Sequence, residues 1–110
     1  VGIFVGEAMA YRTVGQMDAA LAKLGHAQAD MTQVRKVIDE YAVECSILKV
    51  WGSEFLDYVV DEMVQIYGGY GFVKDYPVEK FWRDSKIGSI YEGTSNMQLQ
   101  TIAKLITSGM

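Results

Sequence analysis

The sequence predicts an all-α chain, an up-and-down helical bundle with one very long helix. Apolar residues recur in steps of three and four along most of the 110 positions, the spacing that lines one face of a helix. No stretch alternates apolar and polar residues with the period of two that a half-buried strand requires. Punctuation agrees: there is a single proline, and three of the eleven glycines, Gly68, Gly69 and Gly71, crowd into one short segment.

The first helix is carried by Ala10, Val14, Met17, Leu21 and Leu24 and runs from near the start to about Leu24, with Gly25 and His26 at its end. His26 falls in a polar connection without an acidic or nucleophilic neighbour in sequence and reads as solvated. Asp30 or Thr32 is placed to cap the next helix, which begins near Met31. Its stripe continues through Val34, Ile38, Tyr41, Cys45, Leu48, Phe55, Val59 and Ile66, with Gly52 and Glu62 on the same face. That predicts one helix from Val34 to Ile66, roughly 50 Å long at 1.5 Å per residue. Cys45 reads as a small core residue. Gly52 costs about 1 kcal/mol against alanine, so it marks close helix contact or a slight bend.

Gly68, Gly69 and Gly71 end the long helix, because glycine enters left-handed backbone without steric cost. Tyr67, Tyr70 and Phe72 are interleaved with them, as packing or stacking groups. Asp75 and Pro77 suit a helix start, and the helix that follows covers about Val78 to Lys86, with Arg83 and Asp84 pairing with other groups to brace it. A last helix opens after Glu92 and Gly93. There Ser95 and Gln98 match an S-x-x-Q capping box, and Leu99, Ile102, Ala103 and Ile106 form the buried face.

Composition narrows the function classes. The net charge of -4 arises from 14 acidic and 10 basic residues without a long run of one sign, so there is no footprint for nucleic acid or an anionic membrane. Cys45 and His26 are single in their types, which excludes an intrachain disulfide and a Cys/His zinc site within this chain. No apolar run approaches the roughly 18 residues of a transmembrane segment, and no signal-peptide pattern is present. Without internal repeats or a linker, 1–110 reads as one domain, and its opening inside a helical pattern, VGIFVGEAMAYR, suggests a domain excised from a longer protein.

The segment from Gln65 to Asn96 concentrates the residues capable of chemistry. Glu92 sits in a glycine turn at a helix mouth, after the apolar Ile90 and Tyr91, and is either a catalytic base or a solvated charge. Thr94, Ser95 and Asn96 bring hydroxyl and amide groups to a helix N-terminus, where they either cap the helix or help bind an anion such as phosphate. The GGYG of 68–71 closes a helix instead of opening one after a strand, so on spacing alone it is a helix stop before it is a nucleotide loop.

QIYGGYGF at Gln65, YPVEKFWRD at Tyr76 and IYEGTSN at Ile90 together resemble the C-terminal domain of acyl-CoA dehydrogenases, in block order and in spacing. The likeness extends upstream through EAMAYRTVG at Glu7 and YAVECSILKVWGSEFLDYVVDE at Tyr41, where it is most similar to bacterial relatives of the very-long-chain branch. The resemblance implies a flavoenzyme that uses FAD to convert a fatty acyl-CoA to a trans-2-enoyl-CoA. By residue-by-residue carry-over, Glu92 is the base, covered by Tyr91 and substrate. Its backbone N–H helps bind the thioester oxygen, and Gly93 lies against the substrate. Thr94, Ser95 and Asn96 meet FAD. Gln65, Ile66, Tyr67, Gly68 and Gly69 approach the FAD of a neighbouring subunit in a dimer or tetramer. An electron-transfer flavoprotein is the implied electron acceptor, in bacterial cytoplasm or the mitochondrial matrix. The family's N-terminal helical and middle β domains are outside this sequence, so the chain alone is expected to be inactive. Two rivals stand beside this reading: a helical interaction or oligomerisation module without chemistry, and a sister flavoenzyme such as an acyl-CoA oxidase.

Overall fold

In the computed structural model, which describes residues 1–25 and 30–108, every regular element is helical. They are α1 (Gly2–Lys23), α2 (Met31–Glu40), α3 (Ala42–Tyr67), α4 (Gly69–Phe72), α5 (Val78–Ser85) and α6 (Ser95–Ser108), with a 3-10 turn at Lys86–Ser89 between the last two. His26 lies outside the described residues. No described helix is long and apolar enough to cross a membrane.

The expected continuous helix from Val34 to Ile66 is two helices. Tyr41 leaves helical geometry at φ -100°, ψ 13°, and its N–H turns back to the Ile38 carbonyl at 3.1 Å. The Tyr41 hydroxyl donates to the Gln16 carbonyl of α1 at 3.4 Å, which ties the break to a neighbouring helix. Because the Cys45 N–H at once takes the Tyr41 carbonyl, at 3.0 Å, the new helix restarts without glycine or proline and the apolar spacing passes through unbroken. Asp30 caps α2 as expected, accepting from the Thr32 N–H at 3.4 Å.

α3 is the spine, and α1, α2, α4, α5 and α6 all pack against it. A helix touched on several sides has no single buried stripe, so the stripe expected from sequence fails. Cys45, Gly52, Glu62 and Ile66 are exposed, while Ser46 and Val60 are buried. A Cβ on Gly52 would meet no atom within 4 Å, so the close contact expected there does not occur within this chain. The close contact lies instead at α1, where Cβ atoms on Gly2 and Gly6 would collide with the rings of Phe55 and Trp51. Those two rings stack along α3 with centroids 4.9 Å apart.

α5 and the 3-10 turn are fastened to α3 through two carboxylates four residues apart. Asp61 accepts from Trp82 Nε1 at 3.2 Å. Asp57 accepts from Ser85 Oγ at 3.3 Å and from Lys86 Nζ at 2.9 Å. Within α5, Arg83 pairs with Glu79 at 2.7 Å and Lys80 pairs with Asp84, as the bracing role of Arg83 and Asp84 anticipates. Pro77 precedes the first turn of α5; Asp75 makes no cap.

The core is thin. Val37, Val60 and Val78 are its buried apolar residues, and the radius of gyration is 18.1 Å, against roughly 13 Å for a compact domain of this length. Leu99, Ala103 and Ile106, expected on the buried face of α6, are exposed, and Ile102 is half-buried. Leu99 and Ile102 nevertheless border a cleft against Ile47, Val50, Trp51 and Phe55 of α3, so α6 docks through one edge of its apolar face. Exposed apolar surface on this scale is uncommon for an isolated soluble domain and is of the kind that serves as a contact or binding surface.

Candidate functional site

The site is assembled by the turn between the 3-10 segment and α6. The N–H groups of Ile90 and Tyr91 both reach the Ile87 carbonyl at 3.0 Å, which fixes the chain entering the turn. Glu92 then takes φ 52° and Gly93 φ 91°. Glu92 is the one non-glycine residue at positive φ among those described, and left-handed backbone costs an L-residue roughly 1–2 kcal/mol. Such conformations persist where surrounding structure over-determines them, and they cluster at functional sites.

Two side chains over-determine this one. Gln98 Nε2 donates to the Glu92 carbonyl at 3.0 Å, and Lys49 Nζ, from α3, donates to the Gly93 carbonyl at 2.6 Å. Position 93 favours glycine chiefly for its φ, and a Cβ there would also push aside Gln98 Nε2, which stands 2.8 Å from its place.

The cap of α6 sits one residue earlier than the expected box. Thr94 Oγ1 accepts the Met97 N–H at 3.3 Å, and Ser95 is already the first helical residue. Gln98 reaches Glu92 across the turn instead of closing on Ser95. The Gln98 N–H is taken by the Thr94 carbonyl at 3.0 Å, so Ser95 Oγ is buried without a hydrogen-bond partner, and the N–H groups of Ser95 and Asn96 have no capping acceptor among the described residues. A set of unpaired donors at the N-terminus of a 14-residue helix suits phosphate or another anionic, oxygen-rich group. These residues line an open groove of about 460 Å³ with Thr94, Glu54, Asp57, Lys86 and Ser89.

The structure brings Glu92, Gly93, Thr94, Ser95 and Asn96 together but leaves Gln65, Ile66, Tyr67, Gly68 and Gly69 apart from them. Those five occupy the end of α3 and the start of α4, all exposed, with Gly68 at φ 57°. Lys49, which touches the Glu92 turn, and Gln65 are sixteen positions apart in α3, or ~24 Å along its axis. Within one chain the two groups of residues are thus separate. Glu92 and Tyr91 are both exposed, so among the described residues Tyr91 does not provide the cover expected over Glu92.

Sequence reasoning overlooked Lys49, Gln98 as a turn anchor, and the pair Asp57 and Asp61. A signal existed for each: a cation inside the apolar run ILKVW, a glutamine six residues after Glu92 in the first turn of the helix that follows, and two aspartates four apart on one face.

Comparison with known proteins places these features in context. Residues 2–107 match the family model described as acyl-CoA dehydrogenase, C-terminal domain. A probable acyl-CoA dehydrogenase of Bacillus subtilis is 48% identical over 96 residues, covering 86% of this chain and 16% of that protein. The mitochondrial short/branched chain specific acyl-CoA dehydrogenase of Rattus norvegicus is 56% identical over 63 residues, covering 57% of this chain and 15% of its own length. In the crystal structure of an acyl-CoA dehydrogenase complexed with FAD from Bacillus anthracis, a similar fold covers 97% of this chain and 18% of that one, with a TM-score of 0.90 at 42% identity. The chain thus spans about a sixth of the length of these relatives.

Proposed function

The chain belongs to the acyl-CoA dehydrogenase family, as its C-terminal domain, and from that premise we propose that it supplies the catalytic base and part of the flavin site of an FAD-dependent enzyme that converts a fatty acyl-CoA thioester to a trans-2-enoyl-CoA. The observation that carries this reading is Glu92, a carboxylate held at positive φ in a doubly anchored turn. A surface charge without a task has no reason to carry that strain.

In this mechanism the Glu92 carboxylate takes the α-proton of the thioester. When bound, FAD supplies the acceptor for the β-hydrogen, which leaves with its electron pair as hydride. The Glu92 N–H offers a donor for the thioester oxygen as enolate character develops, and Gly93, without a side chain, lets the substrate lie against the backbone. The unpaired Ser95 hydroxyl and the free first-turn donors of α6 fit an oxygen-rich cofactor, with Thr94 and Asn96 beside them. Gln65, Ile66, Tyr67, Gly68 and Gly69 stand apart from that group, at the end of α3 and the start of α4, which favours their meeting FAD held by a second subunit of a dimer or tetramer.

The thin core and the exposure of Glu92 support a longer parent protein in which an N-terminal helical domain and a middle β domain cover this surface and exclude water. The rat relative is a short/branched chain specific enzyme, which weighs against the expected likeness to the very-long-chain branch. An electron-transfer flavoprotein is the proposed acceptor, and a bacterial cytoplasm or mitochondrial matrix the proposed compartment.

The test is anaerobic bleaching of flavin by short, branched and long acyl-CoAs in the full-length protein and its Glu92→Gln variant. Bleaching should be slower in the variant by on the order of 10²–10⁴, the usual range for loss of a general base. A variant that bleaches as fast as the parent removes Glu92 from the role, and a parent that binds no flavin removes the enzyme reading.

A further inference from the structure

We propose that Lys49 is a positioning residue for the reaction, holding the Glu92 turn in its left-handed form through the Gly93 carbonyl. The inference rests on the reading of Glu92 as the base, but the contact stands apart from it. Lys49 lies on α3, forty-four residues before Gly93, and its ammonium reaches the Gly93 carbonyl at 2.6 Å. Its stem is half-buried, within an apolar run where a hydrophobic side chain would otherwise serve. Among the described residues no carboxylate lies within 4.0 Å of Nζ. Its polar partner is therefore a backbone carbonyl, and not an ion pair.

That carbonyl belongs to the peptide just beyond Glu92. Gln98 holds the preceding carbonyl, of Glu92 itself, and Ile87 accepts the Tyr91 N–H on the other side. The backbone around the Glu92 Cα is thus pinned at three points, and Lys49 is the one anchor that comes from the spine instead of from the turn's own neighbourhood. It transmits the position of α3 to the base. A hydrogen bond from a charged donor is worth about twice a neutral one, enough to offset the strain of the left-handed residue. A compact ammonium on a flexible stem suits a single carbonyl better than the planar fork of arginine does. Misplacing a reacting group by about 1 Å can cost on the order of 10²-fold in rate.

The experiment uses the flavin-loaded, full-length protein, its Lys49→Met and Lys49→Arg variants, and Glu92→Gln in parallel. Two quantities are read: the rate of flavin reduction against acyl-CoA concentration, and hydrogen–deuterium exchange of the peptide containing residues 91–94. Lys49→Met should slow the limiting reduction rate by roughly 10–100-fold while the half-saturating substrate concentration moves less than about threefold. Exchange in 91–94 should accelerate, and Lys49→Arg, which retains a charged donor, should fall between parent and Lys49→Met in both measurements. Unchanged exchange in Lys49→Met overturns the proposal, as does a slowing equal in the two Lys49 variants. If Lys49→Met does not fold, Lys49→Gln, which keeps a polar tip on a shorter stem, is read by the same criteria. Parent-rate reduction by Glu92→Gln would sink the base assignment, while the exchange data would still decide whether Lys49 holds the turn.

Discussion

Gly68 and Glu92 each carry the chain out of a helical segment at positive φ, and the two turns solve that steric problem in opposite ways. At the far end of α3 the residue is Gly68, at φ 57°, with open space where a Cβ would be. At the mouth of α6 it is Glu92, at φ 52°, where a side chain makes a positive φ costly. The first turn needs no help. The second is held by Lys49 and Gln98 on successive carbonyls. A glycine at position 92 would have made those anchors unnecessary, so what the arrangement preserves is a carboxylate at a fixed point on the backbone.

Alanine substitutions at neighbouring glycines should separate the two turns. A Cβ on Gly71 would lie 2.7 Å from the Val64 carbonyl oxygen, a backbone atom that cannot step aside, so Gly71→Ala should destabilise by about 2–3 kcal/mol, the upper part of the overpacking range. The clash at Gly93 is with the end of a flexible glutamine, and Gly93→Ala should cost roughly 1–2 kcal/mol, mainly from its φ. Chemistry should rank them the other way. Gly93→Ala displaces Gln98 from the Glu92 carbonyl and should slow flavin reduction by on the order of tenfold, whereas Gly71→Ala should leave the reduction rate of the folded fraction near that of the parent. Thermal midpoints and single-turnover reduction of the full-length variants measure both orders, and the same ranking in both would break the contrast.

Glu92→Gly sharpens it further. Relief of left-handed strain is partly cancelled by the extra chain entropy of glycine, of roughly 0.5–1 kcal/mol, so the variant should be more stable than its parent by up to ~1 kcal/mol and should not reduce flavin. A lower thermal midpoint would show that the Glu92 side chain contributes packing of its own and that the strain argument is mistaken.

These positions also mark how far the sequence could be read. The helical class, the Asp30 cap, the stop at Gly68 and the start of α5 near Pro77 were legible because each follows from local chemistry that a few neighbouring residues decide. Glu92 and its glycine stood out for the same reason. The break at Tyr41 was not legible, since its hydroxyl bond to Gln16 is a contact across 25 residues and nothing local interrupts the apolar spacing. Cys45 was misplaced because period alone cannot show which part of an apolar stripe a neighbouring helix actually covers, and Cys45 is left exposed. Lys49 was missed for a related reason, its acceptor lying in a distant turn. The cap of α6 moved from Ser95 to Thr94 because Gln98 is drawn to Glu92, a competition between two plausible bonds that spacing does not resolve.

The segment joining the two turns offers the smallest effect and a further distinction. α5 carries Glu79, whose carboxyl is held below its ordinary range by the hydrogen bond from Arg83, and Asp84, held below its range by the bond from Lys80. A carboxylate with a lowered folded pKa contributes stability that is fully present above its unfolded pKa and is lost as pH falls through the folded value. With ordinary values of 4.5 and 3.8, both contributions are intact at neutral pH and fade in acid, below about pH 4. The Arg83 guanidinium, raised by Glu79, stays charged throughout that window and sets no acid limit. Lys80, Asp84 and Arg83 are more than half exposed and only Glu79 is partly shielded, so the effect is small and screened by salt. Lowering the pH from 7 to 3 should therefore speed amide exchange in α5 relative to the 91–94 turn, once both are corrected for intrinsic exchange. The carbonyls that hold the turn bind no proton in this range. Arg83→Met should remove the Glu79 share of the acid-dependent difference, leaving that of Asp84, and equal acid sensitivity in α5 and the turn would mean that the two are held by the same kind of interaction.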